Sequence, residues 1–185
     1  DYTLTTLRNG GDGYLRGLEV FVTQTAEDFV ASNGLPDWMG GFGVKASATF
    51  VDSEATVPGV GTTPARKVSL PGASDGVYNL QALYEKYGLT VRLAYQYRTA
   101  WMQGIGNYQV VNNALVPSGN GDTYWDNDEE IDLTVRYQVN KNLEWFFDAS
   151  NIGDQPSRRY VDSKTYTIEY ERFGPRYVTG MRFNF

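Results

Sequence analysis

Apolar and polar residues alternate one by one along most of the regular segments of this chain, a period of two that only β-strands place on opposite faces. From Leu89 the series Leu89, Val91, Leu93, Tyr95, Tyr97 interleaves with Thr90, Arg92, Ala94, Gln96, Arg98, and the series Ile131, Leu133, Val135, Tyr137, Val139 interleaves with Glu130, Asp132, Thr134, Arg136, Gln138. Leu143, Trp145, Phe147, Ala149 repeat the pattern, as do Leu18, Val20, Val22, then Val44, Ala46, Ala48, Phe50, then Tyr78, Leu80, Ala82, Tyr84, and finally Tyr177, Thr179, Met181, Phe183, Phe185. With a weaker segment at Tyr2 to Arg8, the expectation is an all-β, antiparallel fold of eight strands. Composition narrows the chemistry. The 185 residues include no His and no Cys, which removes disulfides, thiol nucleophiles, imidazole bases and the usual zinc ligand sets. A formal charge of −6 provides no field for a phosphate backbone, so nucleic acid is not an expected partner.

The connections alternate between short and long. Tyr87-Gly88 and Val139 to Asn142 are tight turns, whereas about 25 residues separate Trp101 from Asn127, and about 22 separate Asp52 from Ser74 and Asp154 from Pro175. Thr25 to Gly43 is a longer turn on the short side, and Asn9 to Gly13 a short one on the long side. Loops of such length, rich in Gly, Pro, Asp and aromatics, are usually functional. No stretch approaches the roughly 18 uninterrupted apolar residues of a transmembrane helix. Two architectures alternate in this way. A soluble sandwich buries its apolar face against a second sheet. A membrane barrel turns that face to lipid, keeps a polar lumen, and has short turns on one rim and long loops on the other. Tyr78, Tyr84, Tyr97, Tyr137, Trp145 and Tyr177 all lie on the apolar face, as interfacial aromatics of a barrel would.

The ending Gly180-Met181-Arg182-Phe183-Asn184-Phe185 resembles the terminal signal of outer-membrane barrels, with Gly180, Phe183 and Phe185 at its marked positions. Asn142-Leu143-Glu144-Trp145-Phe146-Phe147-Asp148-Ala149-Ser150-Asn151-Ile152-Gly153-Asp154, then Tyr160, then Arg172-Phe173-Gly174-Pro175-Arg176-Tyr177, resembles the closing segment of TonB-dependent receptors. Gly17-Leu18-Glu19, Tyr78-Asn79-Leu80, Tyr84-Glu85 and Tyr95-Gln96-Tyr97-Arg98 are similar to the same family's barrel strands. The resemblance implies that residues 1–185 are a C-terminal portion of a transmembrane barrel of about 22 strands, in the outer membrane of a Gram-negative bacterium. It further implies as partners outer-membrane lipid, the remaining barrel strands, a plug domain, the TonB complex reached through a part absent from this sequence, and the barrel assembly machinery. A processed or partial chain accounts for a start at Asp1.

The resemblance implies active uptake of a scarce ligand, an oligosaccharide or an iron-siderophore, with no catalytic residue and no cofactor. Trp101, Tyr108, Tyr124 and Trp125 are the aromatics of one long loop, where an incoming ligand would stack. Arg92, Arg98 and Arg136 with Glu130 and Asp132 fall on the polar face and are expected to form a luminal wall. Asp122, Asp126, Asp128, Glu129 and Glu130 are an acidic cluster; Asp126 and Asp128 are its weak candidates for calcium, against the plainer reading of a solvated acidic loop. Two further readings stay open: an autonomous eight-stranded barrel with a structural or adhesive role, and a secreted sandwich.

Overall fold

The computed structural model describes residues 11–185. In chain order the strands are β1 Gly13–Thr25, β2 Phe42–Val57, β3 Arg66–Val68, β4 Gly76–Lys86, β5 Leu89–Arg98, β6 Trp101–Gly104, β7 Tyr108–Val111, β8 Ala114–Pro117, β9 Thr123–Trp125, β10 Asp128–Asn140, β11 Leu143–Ser150, β12 Ser157–Val161, β13 Ser163–Glu171 and β14 Arg176–Phe183. A helix α1, Glu27–Ser32, and a 3-10 turn, Asp37–Gly41, occupy the β1–β2 connection, which the alternation marks only as a turn.

The long strands form one antiparallel sheet in the order β1-β2-β4-β5-β10-β11-β14, with β3 added beside β2. Every long segment expected from alternation within residues 11–185 is a strand of this sheet. The expected strand at Tyr2 to Arg8 lies outside the described residues. Register decides the facing. Val44, Ala82, Leu93, Leu133, Ala149 and Tyr177 are successive cross-strand partners, so they share one face. One residue along, Leu83, Arg92, Thr134, Asp148 and Val178 form the neighbouring row on the other face. The apolar series of six separate segments therefore coincide, and Leu18, Val20 and Val22 of β1 add a seventh opposite Phe50, Ala48 and Ala46, since a slip of one residue in any strand would break the row.

Nothing in the described chain covers that apolar face. Leu18, Leu80, Leu93 and Met181 are 63%, 50%, 46% and 62% exposed, and β1 is exposed along its whole length. A sandwich would bury these side chains under a second sheet, and among the described residues no such layer exists. β1 and β14 are the two edges and do not pair with each other, so no closed barrel forms among the described residues.

The two ends of the sheet differ as the loop lengths require. At one end Tyr87 and Gly88, with φ of 57° and 75°, make the two-residue turn whose twist suits a hairpin. The β10–β11 turn lies at the same end, and Asn184 donates its N–H to the Asn142 carbonyl at 2.9 Å, which brings the tail of β14 beside it. Asp37 accepts from Lys86 at 2.6 Å and from the Tyr87 hydroxyl at 2.5 Å, tying the 3-10 turn to the β4–β5 hairpin. At the other end the long connections are structured. β6, β9, β12 and β13 form a second sheet in the order β13-β12-β9-β6, and β7 pairs with β8 as a separate hairpin. Segments of three to five residues such as β9 and β12 are too short to display a period, and β9 pairs with strands far away in sequence, whereas the nine residues of β13 do alternate through Tyr166, Ile168 and Tyr170 and are a strand that the sequence reading misses.

Candidate functional site

The loop sheet has two faces of opposite character. On one, Met102, Tyr124 and Tyr160 are cross-strand neighbours; Met102 is fully buried and the two tyrosine rings stack at 5.4 Å and 12°. On the other, Trp101, Trp125 and Arg159 form a row, with the two indoles 6.3 Å apart and the Arg159 guanidinium 5.5 Å from the Trp125 ring. Arg98, at the loop end of β5, lies 4.5 Å from the Trp101 ring and donates to the Gly72 carbonyl at 2.8 Å. The four aromatics expected to receive a ligand thus divide. Tyr124 packs inward against Tyr160, and Tyr108 has its hydroxyl on Asp162 with Arg66 4.2 Å over its ring. Trp101 and Trp125 face a cavity.

That cavity, of about 210 Å³, sits where the loop sheet meets the polar face of the main sheet, and its walls are Trp101, Trp125, Arg98, Asp126, Asp128 and Arg158 with Asn127 and Ser157. A second cavity of about 140 Å³ shares Arg98 and Asp128 with it and adds Glu130 and Asn79 farther down the polar face. Together they join the loop aromatics to the expected luminal wall. Farther down, Arg136 donates to Asp148 at 2.9 Å and stands 5.3 Å from the Phe146 ring, and Asp132 accepts the Asn151 N–H at 3.1 Å. Arg92 and Glu130 complete the wall on the same face, opposite Thr134 and Gln96 respectively.

The acidic cluster is not a solvated loop throughout. Asp122 is 5% exposed and takes a two-pronged bond from Arg66 at 2.6 and 2.7 Å, with the Gly106 N–H at 2.8 Å. Asp126 pairs with Arg158 and Lys164. Burial opposes its charge, but hydrogen bonds from Lys164, Arg158 and the Asn127 N–H outweigh that and hold its carboxyl below the ordinary carboxylate range. Asp128, Glu129 and Glu130 belong to β10, where alternation sends Glu129 to the face opposite its neighbours. Among the described residues no three carboxylates converge as a metal site would require.

Gly180, Phe183 and Phe185 lie at the short-turn end. Gly180 pairs with Phe146, and a Cβ there would come within 2.7 Å of the Phe146 ring, so the glycine leaves room for an aromatic on the polar face. Phe183 ends β14 and Phe185 is fully exposed beyond it. Arg66, Arg158, Asp162 and Lys164 were not singled out by sequence. Each stands in one of the long connections, and its partner is between 32 and 56 positions away.

No family model matches the chain, and no curated protein does. The fold is shared with a solved structure, the siderophore receptor PiuA from Acinetobacter baumannii, at a TM-score of 0.59 and 19% identity, covering 94% of this chain and 22% of the receptor. The chain therefore spans about a fifth of that receptor's length. At this identity the match speaks to fold, and it does so for nearly the whole chain: an antiparallel all-β sheet similar to a fragment of a receptor.

Proposed function

We propose that this chain is a C-terminal part of the barrel wall and external cap of a TonB-dependent receptor that takes up a scarce ligand across an outer membrane. The observation that carries the reading is the sheet itself. Among the described residues, seven long strands put one uncovered apolar face opposite one polar face and leave both edge strands without partners, as a piece of a larger barrel would. The resemblance of the closing segment and the fold match to part of a siderophore receptor support it. On this reading the apolar face meets lipid, the missing strands of a barrel of about 22 pair with β1 and β14, and the polar face with Arg92, Arg98, Arg136, Glu130 and Asp132 looks onto a plug domain. Energy comes from the TonB complex through another part of the protein, and the barrel assembly machinery inserts the whole. The role is transport, not catalysis. The cavity flanked by Trp101 and Trp125 is the first seat of the ligand, with an iron-siderophore and an oligosaccharide as the two classes that indoles, guanidinium groups and carboxylates suit.

The test is binding by the full-length protein in outer-membrane vesicles, with a panel of ferric siderophores and a panel of oligosaccharides, before and after Trp101→Ala and Trp125→Ala. One panel should bind, and each substitution should weaken it by about 1–3 kcal/mol for a lost stacking surface, roughly 5- to 150-fold. Absence of the protein from the outer-membrane fraction would overturn the reading as a whole. Unchanged affinity in both variants would remove the cavity from it.

A further inference from the structure

Three long connections leave the loop end of the main sheet: β2 to β4, β5 to β10, and β11 to β14. One cluster, buried at Asp122, half-buried at Arg66 and Tyr108 and exposed at Asp162, joins all three. Arg66 comes from the first, Asp122, Gly106 and Tyr108 from the second, and Asp162 from the third. Arg66 grips both oxygens of Asp122 and donates to the Gly106 carbonyl at 3.1 Å, and its guanidinium lies on the Tyr108 ring. The Asp122 N–H donates to the Asp162 carboxylate at 2.9 Å, and the Asp162 N–H returns to the Asp122 carbonyl at 2.8 Å. The Tyr108 hydroxyl donates to the same Asp162 carboxylate. Thr63, again from the first connection, donates to the Tyr108 carbonyl at 3.1 Å. Side-chain exposures of 14% for Arg66 and 6% for Asp122 place the ion pair out of water, where removal of one partner strands the other's charge.

The position of this cluster gives it leverage on the cavity. Asp122 immediately precedes β9, which carries Trp125, and Asp162 immediately follows β12, which carries Arg158. Those two strands supply the cavity's outer wall and pair with each other. Backbone packing is equally tight, since a Cβ at Gly106 would collide with the Gly121 backbone and one at Gly121 with the Asp162 carboxylate.

We propose that Arg66, Asp122 and Asp162 form a latch that makes the three long loops one cap, which opens and closes over the mouth as a unit rather than loop by loop. The latch stands on the geometry alone; its role over a ligand cavity rests on the uptake reading above. A loop carrying one of the three residues cannot leave without stranding a charge or a backbone donor in the other two, so local opening of each is coupled to the rest.

Hydrogen exchange of the full-length protein, followed by mass spectrometry, tests this. Arg66→Met changes only the first connection and Asp162→Asn only the third. Each is expected to speed exchange about tenfold or more in all three segments, 58–68, 104–123 and 157–163, with the amides of β4 and β5 unchanged. Faster exchange confined to the substituted loop overturns the proposal. If Arg66→Met also loosens β4 and β5, Tyr108→Phe decides by the same criterion, because it removes one hydroxyl bonded to Asp162 and leaves the ion pair. No ligand or membrane energy enters this measurement, so failure of the uptake reading would leave its outcome intact.

Discussion

At Asp122 the chain concentrates its strongest local constraint. Its carboxylate accepts three hydrogen bonds, its own N–H and carbonyl bond Asp162, and its side chain is nearly out of water. Hydrogen bonding to Asp122 holds the Arg66 guanidinium above its ordinary range, in line with a charge that no accessible pH removes. Asp122→Ala leaves that charge without a counterion, and the expected loss is about 3–5 kcal/mol of loop stability. Gly121→Ala should act on the same place from the backbone side, at about 1–3 kcal/mol, by forcing a methyl into the Asp162 carboxylate. Limited proteolysis checks both: cleavage between residues 58 and 68, and between 104 and 123, should appear in the variants under conditions that spare the wild type. An uncleaved Gly121→Ala variant would show that the close approach at Gly121 can relax. Sequence points to Asp122 only as one acid among five. What distinguishes it is a partner 56 positions away, and no spacing rule reaches that far.

Among elements, the loop sheet and the main sheet answer to different forces. The main sheet is read directly from alternation, since each strand is long enough to show its period and one face is uniformly apolar. Most of the loop sheet is hidden, because β6, β9 and β12 are short and are held by pairs such as Asp126 with Arg158, which lie in different connections, while β13 is long enough to alternate and is legible in principle. That dependence on charge gives the loop sheet two pH limits. Asp126 titrates below its ordinary value of 3.8, so its pairs contribute fully above that value and are lost as pH falls through the lower folded one. Tyr108, pushed by burial and by its bond to Asp162 from 10.0 up to about 12, contributes while neutral, fully below 10.0, and that contribution is lost as pH rises through about 12. Exchange protection of β9 and β12 should therefore fall at both extremes, and Asp126→Asn should blunt the acid limit while leaving the alkaline one. An acid limit unchanged by Asp126→Asn would assign it to another carboxylate.

For the molecule as a whole, the uptake reading turns on which face of the sheet meets lipid. The six-strand row that runs from Val44 to Tyr177 leaves only two self-consistent answers, because a side chain's facing is fixed by parity along its strand and register carries that parity across the sheet. A charge facing hydrocarbon costs about 2–4 kcal/mol at the bilayer midplane. The polar face carries Arg92, Glu130, Asp132 and Arg136, whereas the opposite face has leucines, valines and aromatic rings, so on the uptake reading lipid on the apolar face is the arrangement that avoids stacking several such costs. Adjacent positions on β5 test it. The chain contains no Cys, so a thiol placed here has no competitor within this region. In full-length protein held in intact outer membranes, Arg92→Cys should react with a membrane-impermeant maleimide once the lumen is accessible, and Leu93→Cys should stay unreactive until detergent is added. Reaction at Leu93→Cys with Arg92→Cys silent would invert the facing and, through register, that of every other strand with it.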